Sequence, residues 1–231
     1  VTAELVAPGV VETFPDLVQR SDEWYQQRCG LITASAVGGL LTTKTLALAD
    51  NDTSRGLIAL AAAERITGHV DLTAISYDMA RGIGDESYAA DAYSEHIAPV
   101  IPCGFMVRTW GKHALGYSPD GLIGTDGLIE IKSRRGQKQV QTVLAGHIPA
   151  ENVAQCQAGL LVSGRAWLDY VSYAAGMHLW TIRVTPDPRW FEAITAAVEA
   201  FEDAVTKAVT AYREAVTGLP LAERPAEDMV I

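Results

Sequence analysis

Residues 117–135 read Y-S-P-D-G-L-I-G-T-D-G-L-I-E-I-K-S-R-R, from Tyr117 to Arg135. Leu128 to Ser133 alternates as a strand does, so Glu130 and Lys132 share one face while Ile129 and Ile131 share the other. Thr125-Asp126-Gly127 carries Asp-Gly turn chemistry, which predicts a hairpin between Leu122-Ile123 and Leu128-Ile131. Such a hairpin returns Asp120 alongside Glu130. Two carboxylates and one ammonium then share a small pocket.

That combination suits a hard divalent cation. Mg²⁺ takes oxygen ligands and is usually held by one or two carboxylates plus substrate phosphate oxygens. Asp120 and Glu130 have the chemistry for it, with the Ile131 carbonyl as a further oxygen. A cation there polarises a phosphodiester and acidifies its bound water. Lys132, beside it in a partly dry site, is expected to have a lowered pKa and to orient or deprotonate that water. The competing reading is a solvated hairpin with an ordinary Glu/Lys face, because an aspartate followed by a distant Glu-x-Lys often arises by chance.

With 231 residues, 48% hydrophobic and 20% charged, the chain reads as a compact soluble protein built as a single domain over 1–231. It has no apolar run of about eighteen residues, so no membrane span is expected. Glu4 and Glu12 without a basic leader do not make a signal peptide. Cys29, Cys103 and Cys156 lack C-x-x-C spacing, which predicts a reducing compartment, the cytoplasm, and no zinc or iron–sulfur site. The net charge of −10 sits badly with a nucleic-acid partner. However, Lys132, Arg134, Arg135 and Lys138 follow the carboxylates directly, and segregation of that kind focuses a positive potential locally.

Along the chain, residues 1–20 are weakly patterned and predict a loosely docked lead-in. Ser21 caps a helix with Asp22 and Glu23 in its first turn, carrying Trp24, Tyr25 and Arg28 before Gly30. Thr33 or Ser35 caps a short helix from Ala36 to Leu41, and a helix start near Arg28 offers an anion site. Helices are predicted over Ser54–Thr67 and Tyr77–His96, the second with Glu86 at its middle. A strand is predicted over Cys103–Trp110. Two further helices follow, Gln137–Gly146 and one opening at Pro149-Ala150-Glu151 that carries Gln155 and Gln157. Trp167–Tyr173 and His178–Val184 predict a second hairpin. Asp187 then caps a long helix with Pro188 at its first position. Its apolar residues, from Phe191 to Val216, recur at three and four. Residues 218–231 read as a flexible tail.

Taken together, W-Y-Q-Q-R-C-G-L-I-T-A-S, R-G-I-G-D-E, S-P-D-G, E-I-K and Q-C-Q, in this order from Trp24 to Trp167, resemble the phage lambda exonuclease group, the YqaJ-type viral recombinases of the D…E-x-K nuclease superfamily. The resemblance implies an α/β, restriction-endonuclease-like core with a central mixed sheet flanked by helices. It also implies a Mg²⁺-dependent 5′→3′ exonuclease, with Mn²⁺ as a substitute ion, acting on double-stranded DNA ends that bear a 5′-phosphate. By the same resemblance Asp120, Glu130 and the Ile131 carbonyl hold metal, Lys132 serves the attacking water and Glu86 assists. Arg28, Ser35 and Ser118 match a pocket for the 5′-phosphate, and Gln157 a glutamine beside the scissile end. Family members form ring-shaped homotrimers and work with a single-strand annealing protein. The chain departs from its relatives in the loop after Ser35, where only Lys44 and Arg55 are basic, so strand separation and processivity are open. Two other readings compete with this one. The first is an endonuclease or nickase of the same superfamily, and the second is an acidic DNA mimic or recombination scaffold without catalysis.

Overall fold

The computed structural model describes residues 9–71 and 76–224. A five-stranded mixed sheet has the order β2 (Val100–Ile101), β5 (Gly121–Ile123), β6 (Gly127–Ser133), β7 (Trp167–Tyr173) and β8 (Trp180–Val184). Only the β6–β7 pairing is parallel, and α5 (Gly136–Ala145) and α6 (Ala150–Ser163) make the crossover that such a pairing requires. A second sheet is antiparallel, with β1 (Val10–Phe14) beside β3 (Phe105–Trp110) and β3 beside β4 (His113–Tyr117).

The alternation read in β6 decides what lies on each face of the larger sheet. Ile129 and Ile131 join Val171 against Ala89 and Tyr93 of α4 (Tyr77–His96). Leu128, Leu168 and Tyr170 face the other way, against Cys156, Leu160 and Leu161 of α6 and the buried stripe of α7 (Pro188–Ala215). On that helix Asp187 caps the first turn and Pro188 opens it, as the sequence predicts. α3 (Asp52–Thr67) is fixed to α7 by the Arg65 guanidinium, which donates to both oxygens of buried Glu202 at 2.6 and 2.9 Å. Arg65 also donates to the Gly30 carbonyl at 2.7 and 2.9 Å.

The lead-in departs from expectation. Within the described part of residues 1–20, β1 pairs along its length with β3, and the Gln19 amide donates to the Pro119 carbonyl at 3.0 Å. Backbone pairing holds this segment, so a search for a buried stripe misses it: four of the five β1 residues are exposed. Residues 1–8 of the lead-in and 225–231 of the tail lie outside the described residues. The remainder of the tail, 218–224, is exposed and touches the body where Arg224 meets Asp71 at 3.3 Å.

Candidate active site

α1 (Asp22–Arg28) and α2 (Ala34–Val37) deliver one half of the site, and the β5–β6 hairpin delivers the other. The hairpin register pairs Gly121 with Ile129 and Ile123 with Gly127, as the Asp-Gly turn predicts. Beyond Gly121, β5 ends and the edge of β6 is free. There the Ile131 N–H donates to Asp120 Oδ2 at 2.6 Å. The N–H and C=O of a strand residue point to the same edge, so the Ile131 carbonyl faces Asp120 as well.

Glu130 is almost wholly buried, and its carboxylate is fully engaged. Oε1 accepts from Lys132 Nζ and from Gln155 Nε2, both at 2.5 Å, and Oε2 accepts from the Tyr117 hydroxyl at 3.2 Å. The Asp120 carboxyl is pushed well above the usual carboxylate range, first by burial, then by Glu130, with Glu86 adding a little; Lys132 and the Ile131 N–H pull the other way. Burial alone would depress the Lys132 ammonium, but the Glu130 and Asp120 charges outweigh it and hold it above its ordinary value. Without a divalent ion in the site the two carboxylates therefore hold Lys132 as a cation, the opposite direction from the lowered pKa expected beside a bound metal.

Glu86, on α4, lies close enough to act on Asp120 and is itself bound by Arg20 at 3.0 Å. Arg20 adopts left-handed backbone, φ 71°, a conformation uncommon outside glycine. No group of three His, Cys, Asp or Glu residues suited to a metal occurs among the described residues. The donor set that fits a hard ion is therefore two carboxylates and a backbone carbonyl: Asp120, Glu130 and Ile131. Three carboxylates against two cations leave the pocket negative, and a divalent ion would relieve the repulsion that raises Asp120.

The second half is cationic. Arg28 stacks over the Trp24 ring at 3.9 Å and donates to Ser118 Oγ at 3.1 Å, and the Trp24 indole donates to the same oxygen at 3.0 Å. Burial pulls the Arg28 guanidinium down to about 10, opposed by Tyr25 and Glu64, so it stays charged at neutral pH. Ser118 stands two residues before Asp120, which ties the two halves together. Thr33 bridges to Gly116 on β4, setting the start of α2 beside the strand from which Ser118 leaves. Ser35 is exposed on α2, 3.2 Å from Thr33 Oγ1, so it is a helix residue with Thr33 in the cap position.

Two expectations need correction here. The buried Gln157 amide donates to the Thr185 carbonyl and accepts from the Asp187 N–H, both at 2.9 Å, which joins α6 to the start of α7. Gln155 is the glutamine of that pair which reaches Glu130. The basic run after the carboxylates is also not a free positive strip. Lys132 pairs with Glu130, Arg135 with Asp78 at 2.8 Å and Lys138 with Glu151 at 3.1 Å. Of the two basic residues after Ser35, Arg55 lies in the first turn of α3 and is tied to Asp50 and Asp52, which leaves Lys44 in the loop. The sequence reading also missed Tyr117, Trp24 and Arg20 as partners of Glu130, Ser118 and Glu86; Trp24 sits inside a motif that carries the resemblance, and Tyr117 directly precedes another.

A sequence profile of the YqaJ-like viral recombinase domain matches residues 23–166. The chain belongs to that family. This nuclease is similar to an alkaline exonuclease from Laribacter hongkongensis, at 26% identity over 87% of this chain and all of that one, with a TM-score of 0.76. The same enzyme in complex with dAMP aligns with a TM-score of 0.73 at 25% identity, over 87% of this chain and all of that one. A phage-related exonuclease from Haemophilus somnus, 10% identical over 79% of this chain and 96% of its own, shares the fold with a TM-score of 0.55. No curated protein sequence matches significantly. The chain is thus a deoxyribonuclease of recombination on a restriction-endonuclease-like fold, and no helix among the described residues is long and apolar enough to cross a membrane.

Proposed function

We propose that this nuclease is a Mg²⁺-dependent 5′→3′ exonuclease that degrades one strand of linear duplex DNA to mononucleotides and leaves a 3′ single strand for recombination. The observation that carries the reading is the junction at Ser118–Asp120, where a stacked, half-buried arginine meets a carboxylate pair across two residues of chain. When bound, the divalent ion supplies Lewis acidity at the scissile phosphate and a more acidic water; Asp120, Glu130 and the Ile131 carbonyl would hold it. Lys132, Gln155 and Tyr117 orient Glu130. The Lys132 ammonium, kept charged by its neighbours, stabilises negative charge growing on the phosphate and positions the nucleophile. Arg28 and Ser118, joined by Ser35 on the family resemblance, grip a terminal 5′-phosphate and so set which bond reaches the carboxylates. The dAMP complex of the Laribacter enzyme supports a mononucleotide product. A single domain, a ring-shaped homotrimer and a single-strand annealing partner belong to the same reading.

The test offers linear and closed circular duplex, with and without Mg²⁺, and linear ends with and without 5′-phosphate. We expect Mg²⁺-dependent loss of the linear duplex only, faster from phosphorylated ends. Arg28→Ala should remove that preference while sparing residual cutting. Lys132→Ala should lower turnover by roughly 10²–10⁴-fold, the usual range for a positioned proton-handling or charge-stabilising group. Equal attack on closed circles would overturn the exonuclease reading, and unchanged turnover would remove Lys132 from the chemistry.

A further inference from the structure

Past Lys132, the end of β6 opens onto a cavity of about 390 Å³ between the start of α4, the start of α5 and the Ala174-Ala175 turn. Its wall carries three guanidinium groups, Arg81, Arg134 and Arg135, against one carboxylate, Asp85. Asp78, bonded to Arg135 at 2.8 Å and 3.7 Å from Arg81, balances one more. In a chain of net charge −10 the cavity still keeps a positive excess.

Each arginine is anchored by only part of its fork. Arg81 donates to Ser133 Oγ at 2.5 Å and to Asp85 at 3.2 Å. Arg134 donates to Asn152 at 2.5 Å and to the Tyr170 hydroxyl at 2.7 Å. The Nε atoms of both Arg81 and Arg134 are buried without an acceptor. A buried donor left unpaired costs about 1–3 kcal/mol, so two on neighbouring arginines mark a place built for an acceptor that arrives with a ligand. α5 adds to this: Arg135 caps it without a side-chain hydrogen bond, so its first N–H groups are also left for a partner.

We propose that this cavity binds a backbone phosphate of the DNA, as a second phosphate subsite apart from the Arg28–Ser118 pair. Guanidinium forks match phosphate oxygens. From Lys132 to Arg135 the chain spans at most about 10 Å, about three nucleotide rises along one strand. A strand with its scissile bond at Asp120 and Glu130 therefore reaches the cavity with a neighbouring phosphate. Free inorganic phosphate shares the chemistry, but the continuity with the carboxylates favours the polymer. The inference rests on the nuclease reading.

The experiment measures binding of a 5′-phosphorylated linear duplex in EDTA, so that nothing is cut, at salt from roughly 50 to 200 mM. The variants are Arg81→Gln/Arg135→Gln, and Arg135→Glu alone, the latter at a side chain 67% exposed and therefore safe for folding. Lys207→Gln on α7 is the control, and melting curves verify the fold. We expect Kd to rise about tenfold and the slope of log Kd against log salt to fall by about one for each lost phosphate contact, with the control unchanged. Folded variants with unchanged Kd and slope overturn the subsite while leaving the nuclease reading intact. If inorganic phosphate raises the melting temperature of the parent but not of the variants, and duplex binding stays unchanged, the cavity takes the free ion and the DNA assignment falls. A parent that neither binds nor cuts duplex sinks both readings.

Discussion

Gln155 and Gln157 lie two positions apart on α6, yet one faces Glu130 and the other faces the start of α7. The difference makes a paired prediction. Gln155→Ala should lower turnover, because Glu130 loses one of its orienting donors, and should leave melting nearly unchanged. Gln157→Ala should leave turnover per folded molecule intact while costing about 1–3 kcal/mol for the buried Thr185 carbonyl and Asp187 N–H it abandons. At this chain length that is a fall of roughly 2–4 °C for each kcal/mol. Steady-state kinetics beside a thermal melt checks both, and the reverse pattern would reinstate Gln157 at the site. The sequence alone does not separate them: a mid-helix glutamine carries no pattern, and a rotation of about 100° per residue leaves two positions 200° apart on a cylinder whose orientation only tertiary packing sets. The return of Asp120 beside β6 was legible in the Asp-Gly turn and the strand alternation, whereas the meeting of Arg28 with Ser118 was implied only by the family resemblance. The direction of the Lys132 shift was not legible, because burial alone would lower it and only the bond to Glu130, with Asp120 arriving from twelve positions upstream, reverses the sign.

Among the elements, the hairpin, the helices over 77–96 and 188–215, and the parallel partner at 167–173 all stand close to where periodicity and caps place them. The misses are edge or very short strands. β1 and β2 are short, and their pairing is imposed by a neighbour rather than by a buried stripe of their own, while β4 buries Leu115 and Tyr117 but sits at a sheet edge with Gly116 between them. Packing between elements also reaches the site. Gly159 lets α6 lie flat against the Tyr117 ring, and a methyl group at Gly159 would stand 2.8 Å from the ring carbon bearing the hydroxyl. Gly159→Ala should therefore cost about 1–3 kcal/mol by overpacking and shift Tyr117 off Glu130, lowering activity beyond what the melt explains. A stable variant with full activity would show that the ring has room to move. Between α3 and α7, Glu202→Ala strands the Arg65 charge and should destabilise by about 3–5 kcal/mol, read as a lower urea midpoint with turnover unchanged in the folded fraction.

For the whole molecule, the sum of −10 and the local pairing of Lys132, Arg135 and Lys138 describe an acidic protein whose basic run is largely neutralised. On the proposed reading, attraction is confined to the phosphate contacts of the Arg28 site and the arginine cavity. Two or three of these should make duplex affinity drop roughly tenfold or more between 50 and 200 mM salt, which a titration by fluorescence anisotropy measures; a flat response would mean that shape, not charge, holds the substrate. The chain path adds one more consequence. Asp120, Glu130 and Lys132 lie within thirteen residues of chain and are braced from α6 by Gln155, while the Arg28–Ser118 contact joins residues 90 positions apart. Cutting and end-sensing therefore have unequal resistance to fraying. A preparation warmed or clipped until its amino-terminal layer loosens should begin to nick supercoiled plasmid just before it dies, a loss of discrimination that comes ahead of the loss of hydrolysis.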